Sequence, residues 1–224
     1  DINPGQIGGV GFSLIPFSYN DDPTSTLMAS NMQRQAVPLV KPQAPIVGTG
    51  YEEVIAKGSR RSFVAKEDGV VDYADSTIVK VKYNDKTKED YEIENFTRTN
   101  QNTCFSQKVI VKKGDKFKKG DILVDGPSSD NGELALGRNV TAAFMVYDGF
   151  NYEDAIVISE KLVKEDVFTS IHIKEYIQDI RETKLGNEQI TKDIPNVGDY
   201  MVRNLDDEGI VRIGAIVDSQ YILV

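Results

Sequence analysis

Glu153 and Asp154 are the residues best suited to chemistry. These adjacent carboxylates close the turn Asp148-Gly149-Phe150-Asn151-Tyr152-Glu153-Asp154. The flanking stretches, residues 140–147 and 155–158, are rich in β-branched and aromatic side chains and predict buried strands. Asp-Gly marks the turn between them. Charge at the rim of an apolar strand pair is costly unless something positive meets it. A metal ion, an arginine or a substrate's phosphates could do so, and a solvated loop tip is the bland alternative. Two carboxylates are too few for an all-protein magnesium site, so waters or substrate phosphates would have to complete the octahedron. In a regular strand, neighbouring residues point to opposite faces and only one of the pair could reach a common ligand; a loop relaxes that limit.

Other chemistry is scarce. One cysteine, Cys104, and one histidine, His172, cannot form a zinc site. His172 has no nucleophile near it in sequence, so a structural or surface role is expected. There is no phosphate-binding Walker motif, and Gly8, Gly9 and Gly11 are too irregularly spaced to cradle one. Lys112, Lys113, Lys116, Lys118 and Lys119 form the most basic run, either a solvated face or a contact to nucleic-acid phosphates. The chain therefore borrows its chemistry from a partner.

Composition supports a non-autonomous piece. At 224 residues, 40% hydrophobic and 27% charged, the chain is ordinary globular protein, long enough for one large domain or two to three small ones. Its net charge of −9 argues against a free-standing non-specific nucleic-acid binder. A lone cysteine excludes an internal disulfide and fits a reducing compartment. No apolar run approaches the ~20 residues of a membrane span. Asp1 and the apolar end Tyr221-Ile222-Leu223-Val224 read as cuts in a longer polypeptide.

The elements that would carry these residues follow in order. Residues 7–17 predict a strand. Asp22-Pro23 predicts a helix start, and the helix should run over residues 23–35 with Leu27, Met28 and Met32 as an apolar stripe. Its other face carries Asn31, Arg34 and Gln35. Pro38, Pro42 and Pro45 force extended chain. Residues 53–123 predict short strands, including a strictly alternating Ile78-Val79-Lys80-Val81-Lys82-Tyr83 before the hairpin signal Asn84-Asp85, and two Lys-Gly-Asp turns around Phe117. Ser159 predicts a helix cap, residues 168–176 and 210–213 predict strands, and a short helix is expected over residues 199–205. The whole reads as mainly β, a β-rich α+β fold.

Two resemblances sharpen this. Gly69-Val70-Val71 and residues 111–123 resemble a barrel-sandwich hybrid domain, an architecture shared with biotinyl and lipoyl carriers, although no lysine in a carrier's setting is present. Beyond that, Asn31-Met32-Gln33-Arg34-Gln35-Ala36-Val37-Pro38, Leu14-Ile15-Pro16-Phe17 with Asp21-Asp22, and Val47-Gly48-Thr49-Gly50 resemble the bacterial RNA polymerase β subunit. So do Asn100-Gln101-Asn102-Thr103-Cys104, Gly126-Pro127-Ser128, Gly132-Glu133-Leu134-Ala135-Leu136-Gly137, Gly149-Phe150-Asn151-Tyr152-Glu153-Asp154, Thr169-Ser170-Ile171-His172-Ile173, Thr183-Lys184-Leu185-Gly186 and Asp193-Ile194-Pro195-Asn196-Val197-Gly198. These blocks are collinear over nearly the whole chain.

That resemblance implies an internal fragment of a much longer subunit. Residues 1–52 and 126–158 would belong to a partial double-psi barrel, residues 53–125 to an inserted sandwich-barrel hybrid, and residues 159–224 to the start of the flap. It implies template-directed RNA synthesis in a complete enzyme, and an inactive isolated fragment. Catalytic magnesium would be held mainly by the β′ subunit. Asp154, and Glu153 through water, match carboxylates near the second magnesium that arrives with the nucleotide. Asn31, Arg34 and Gln35 match residues facing the RNA–DNA hybrid or bordering the rifamycin pocket. The implied partners are the β′, α and ω subunits, sigma factor near the flap, DNA template, RNA and nucleoside triphosphates, in the cytoplasm and away from membranes. One departure stands out: where the family has Ala-Asn-Arg after the Asp-Asp pair, this chain has Pro23-Thr24-Ser25, so a bidentate phosphate clamp is missing there. Outside the polymerase reading stand a barrel-sandwich interaction module and an independent carboxylate-based hydrolase.

Overall fold

Strict alternation decides the best-formed part of the molecule. In the computed structural model, which describes residues 8–184 and 186–224, Val79, Val81 and Tyr83 point inward and Lys80 and Lys82 outward. The predicted hairpin follows, with the amide of Thr87 donating to the Asp85 carboxylate at 2.8 Å. Strands β1 (Phe63–Val64), β2 (Gly69–Ala74), β3 (Ile78–Tyr83), β4 (Lys88–Glu92), β5 (Thr97–Arg98), β6 (Cys104–Phe105), β7 (Lys108–Val109), β8 (Lys116–Phe117) and β9 (Ile122–Asp125) make up this region. A four-stranded antiparallel sheet runs β4-β3-β2-β8, and a three-stranded one runs β1-β9-β7. Their inner faces share one core: Val71, Val79, Val81, Tyr83, Tyr91 and Phe117 from the first, Leu123 and Val124 from the second. The architecture is mainly β, as composition and alternation foretold.

The two Lys-Gly-Asp turns are built alike. The Asp115 carboxylate accepts the Lys112 amide and that of Asp121 accepts the Lys118 amide, both at 2.8 Å. Gly114 and Gly120 share a φ of +91°, a conformation that favours glycine. Each turn then pairs with a strand edge. Gly114 donates to the Val71 carbonyl at 2.8 Å, and Gly120 donates to that of Ala65 at 2.9 Å. The repeated motif thus closes the sandwich in two equivalent places.

Around the sandwich the chain is stitched by polar groups. Helix α1 (Val10–Ser13) replaces the strand expected at residues 7–17; no neighbouring strand is available there, and the Ser13 amide bonds locally to the Gly9 carbonyl at 3.1 Å. Ile7 lies outside the described residues. Helix α2 (Pro23–Gln33) begins as predicted, with the Asp22 carboxylate accepting the amides of Thr24 and Ser25, but stops two residues earlier. Its apolar stripe of Leu27, Met28 and Met32 is exposed, and Thr26 is the buried residue. Helix α3 (Glu52–Gly58) was not foreseen. Glu52 opens it, and its carboxylate reaches back to accept the Thr49 amide at 2.9 Å. The proline-rich segment is extended as predicted. Gln43 donates its amide to the Gly137 carbonyl at 3.0 Å, and Val40 donates to that of Thr169 at 3.0 Å. Short strands β10 (Ser129–Asp130) and β11 (Glu133–Leu134) pair beyond the sandwich, and α4 (Glu160–Lys164) carries the predicted Ser159 cap.

Four predicted strands did not form as regular strands. Residues 140–147 and 155–158 have no strand assignment and are exposed, with Phe144 fully so. A strand needs a partner for its backbone groups, and among the described residues no segment pairs with these. Residues 168–176 make only single bridges, Ser170 to Leu39 and His172 to Thr103. Residues 210–213 likewise make one bridge, Val211 to Leu205.

The chain forms two compact units, one reaching to Lys174 and the other Glu175–Val224. The second holds the hairpin of β12 (Glu182–Thr183) and β13 (Gly186–Asn187) and helix α5 (Asp199–Val202), shorter than the expected 199–205. The Arg203 guanidinium lies over the rings of Tyr200 and Tyr221, at 4.8 and 5.1 Å. Leu205 is fully buried beside them in sequence.

Leu123 is 0% exposed between the two sheets. Leu123→Ala is expected to cost about 2–5 kcal/mol in denaturant unfolding. Asp75 supplies the pH test. Its carboxylate accepts the amides of Thr77 and Ile78 and the hydroxyls of Thr77 and Tyr73. These bonds, led by the Thr77 amide, hold its carboxyl well below the usual carboxylate range. Stability from a depressed carboxyl is complete above about pH 4 and is lost as pH falls further. The stability gap between wild type and Asp75→Asn should therefore shrink on acidification from pH 5 to pH 2, measured by urea titrations.

Candidate functional site

The loop bearing the two carboxylates is organised by turn chemistry alone. Asp148 and Gly149 both have positive φ, 47° and 76°, and the Phe150 amide donates to the Tyr147 carbonyl at 2.9 Å. That is a primed two-residue turn, in keeping with the Asp-Gly signal. Two further turns follow, Tyr152 amide to Gly149 carbonyl and Ala155 amide to Tyr152 carbonyl, each at 3.3 Å. Glu153, with φ 56°, and Asp154 occupy the centre of the last turn. They do not lie in a strand, so the opposite-face restriction does not apply. Both are exposed, and neither side chain makes a hydrogen bond or ion pair among the described residues.

Asn151 is the residue the sequence reading passed over. Its Oδ1 accepts the Tyr147 amide at 3.0 Å and its Nδ2 donates to the Met145 carbonyl at 2.7 Å. It is the single residue between Val140 and Glu160 that is not classed as exposed. A signal existed: Asn in a Gly-rich turn commonly bonds neighbouring backbone.

The second group of candidates lies on α2 and just past it. The Arg34 guanidinium donates to the Asn31 side-chain oxygen, so these two act as one polar unit, one turn apart. Gln35 follows the helix end and is exposed. Thr24 and Ser25, at the divergent positions, give their amides to the Asp22 cap. Among the described residues, no hydrogen bond or ion pair links this helix face to the acidic loop.

A cavity of about 260 Å³ lies under α2, lined by Leu14, Gln33, Glu52, Leu134, Leu136 and Arg138 among others. Gln33 Oε1 and Arg138 Nε are buried without partners. Burial pushes the Glu52 carboxyl up, but the amides of Thr49, Glu52 and Gly50 more than offset it and hold it below its usual range. His172 bonds Ser170 Oγ at 2.9 Å through Nε2, and its neighbour Ile173 donates to the Asn102 carbonyl, which suits the structural role expected for it. Cys104 is buried and unpaired, and burial pushes its thiol up.

Among the described residues no three His, Cys, Asp or Glu side chains gather into a metal-holding group. Two free carboxylates at adjacent turn positions suit a hard divalent cation that takes its remaining ligands elsewhere.

Comparison with known proteins matches the family described as RNA polymerase Rpb2, domain 6 to residues 64–224. A DNA-directed RNA polymerase subunit beta from Caldicellulosiruptor bescii is 56% identical over 224 residues, covering 100% of this chain and 18% of that protein. The corresponding subunits of Syntrophomonas wolfei and Caldicellulosiruptor saccharolyticus are 54% and 55% identical, again over 100% of this chain and over 20% and 18% of theirs. The chain thus spans about a fifth of the length of the curated relatives it matches.

Proposed function

The chain belongs to the RNA polymerase Rpb2, domain 6 family, and from that premise we propose that it acts as a segment of the β subunit of a multisubunit DNA-directed RNA polymerase. The observation that carries this reading is identity above half, over the entire chain, to such subunits. Those relatives favour it over a carrier-like interaction module.

In this reading residues 1–52 and 126–158 are part of the double-psi barrel, residues 53–125 the sandwich-barrel hybrid insert, and residues 159–224 the start of the flap. Asn31, Arg34 and Gln35 face the RNA–DNA hybrid. The Asn31–Arg34 bond fixes the guanidinium beside a neutral amide and leaves it unneutralised, which suits contact with a phosphate or a base edge. Asp154, and Glu153 through water, hold the magnesium ion that enters with the nucleotide. When bound, magnesium neutralises triphosphate charge. The carboxylates hold nothing alone, because their donor count leaves most of an octahedron to phosphate, water and the β′ subunit. Their freedom from internal partners keeps them available for that task. The α and ω subunits, sigma factor, template DNA and nucleoside triphosphates complete the assembly, in the cytoplasm.

Pro23-Thr24-Ser25 stands where the family has Ala-Asn-Arg, so α2 carries no arginine clamp for a triphosphate at these positions. Thr24 and Ser25 serve the helix cap instead.

Two outcomes test this reading. Asp154→Ala in the complete enzyme should slow nucleotide addition roughly 10- to 100-fold, the cost typical of a weakened metal site; normal elongation in a single-round transcription assay refutes the assignment. The purified 224-residue chain should show no magnesium-dependent nucleotidyl transfer on a primed template, and turnover by it would favour an autonomous enzyme.

A further inference from the structure

We infer that Asn151 is a positioning residue: its side chain fixes the direction in which Glu153 and Asp154 present their carboxylates. The inference rests on the role proposed above for that pair.

Among the described residues of this chain, packing does not hold the loop. Every residue from Val140 to Glu160 except Asn151 is exposed, including Phe144, Phe150, Tyr152 and Ile156. Nor do the carboxylates hold themselves, since neither makes a hydrogen bond or ion pair among the described residues. What remains is hydrogen bonding. The backbone supplies three turn bonds between Tyr147 and Ala155, and the two nearest the carboxylates are long, at 3.3 Å. Asn151 supplies the other two, and they are better: 2.7 Å to the Met145 carbonyl and 3.0 Å to the Tyr147 amide. These bonds reach back six and four residues, so one side chain pins the middle of the loop to its incoming limb. From that anchor only Tyr152 separates Asn151 from Glu153.

The loop also contains three residues in the left-handed region. Asp148, Gly149 and Glu153 all sit at positive φ. Asp148 and Glu153 are non-glycine residues there, which is unfavourable unless surrounding bonds enforce it. An amide side chain suits the anchoring task because it accepts and donates at once. Aspartate could keep only the acceptor half, and alanine neither.

The complete enzyme carrying Asn151→Ala is the test, with two readouts that do not depend on turnover. Hydrogen exchange by mass spectrometry should show lost protection of the peptide spanning residues 145–155. Equilibrium binding of a magnesium-loaded, non-hydrolysable nucleoside triphosphate should weaken about tenfold, the usual cost of removing an outer-sphere support. Asn151→Asp keeps the Tyr147 bond, and its loss of protection should be intermediate. It also serves if the alanine variant assembles poorly. Wild-type exchange across residues 145–155 in Asn151→Ala overturns the inference, and so does lost protection with unchanged nucleotide affinity when Asp154→Ala weakens that affinity. If Asp154→Ala itself leaves nucleotide affinity unchanged, the metal-holding role falls instead, and the positioning inference falls with it.

Discussion

A buried carboxylate sets the path of the chain where it leaves the β-sandwich. Asp125 ends strand β9 at 3% exposure and accepts the amides of Asn131 and Gly132, each at 2.8 Å. Burial raises its carboxyl above the usual range despite those two amides. Such a group is tolerated only because its lone pairs are met. By gathering the residues after β9 it forces the reversal that pairs β10 with β11. The adjacent Asp130 carboxylate then accepts the Ala44 amide at 3.0 Å, and Asn139 Nδ2 donates to the Ala44 carbonyl at 2.8 Å. The proline-rich segment, and with it the end of α2, is thereby fastened to the chain that leads to the acidic loop.

The molecule thus divides by how each part is held. The sandwich has its own apolar core and two equivalent glycine turns closing it. The segments around it have polar stitching and little shared apolar interior. Residues 140–160 have neither, beyond the bonds of one asparagine. Large exposed apolar side chains in that stretch, such as Phe144 and Ile156, are the usual mark of a surface that meets another polypeptide. A chain spanning about a fifth of its relatives' length leaves ample sequence to supply such a surface.

This division suits the composite active centre proposed for Glu153 and Asp154. A site shared between subunits needs each contributor to display groups outward, so its functional side chains must be poorly satisfied within their own chain. Glu153 and Asp154 meet that description, whereas Asp75, Asp115, Asp121 and Asp125 do not: each of these spends its oxygens on nearby backbone amides.

The sequence by itself determined whatever depends on neighbours along the chain. The alternation of residues 78–83, the Asp22 cap, the Lys-Gly-Asp turns, the Asp-Gly turn at 148–149 and the family blocks were all legible, because alternation, capping and turn preference act over a few residues. Tertiary structure decided whatever needs a distant partner. Residues 140–147 and 155–158 have strand composition but no strand beside them, so they remain unpaired. Asn151 gained its place only when the fold of the loop brought Met145 and Tyr147 within reach of one side chain. Propensity is written residue by residue, but a ladder, a buried lone pair or a clamp exists only when the chain has returned to meet itself.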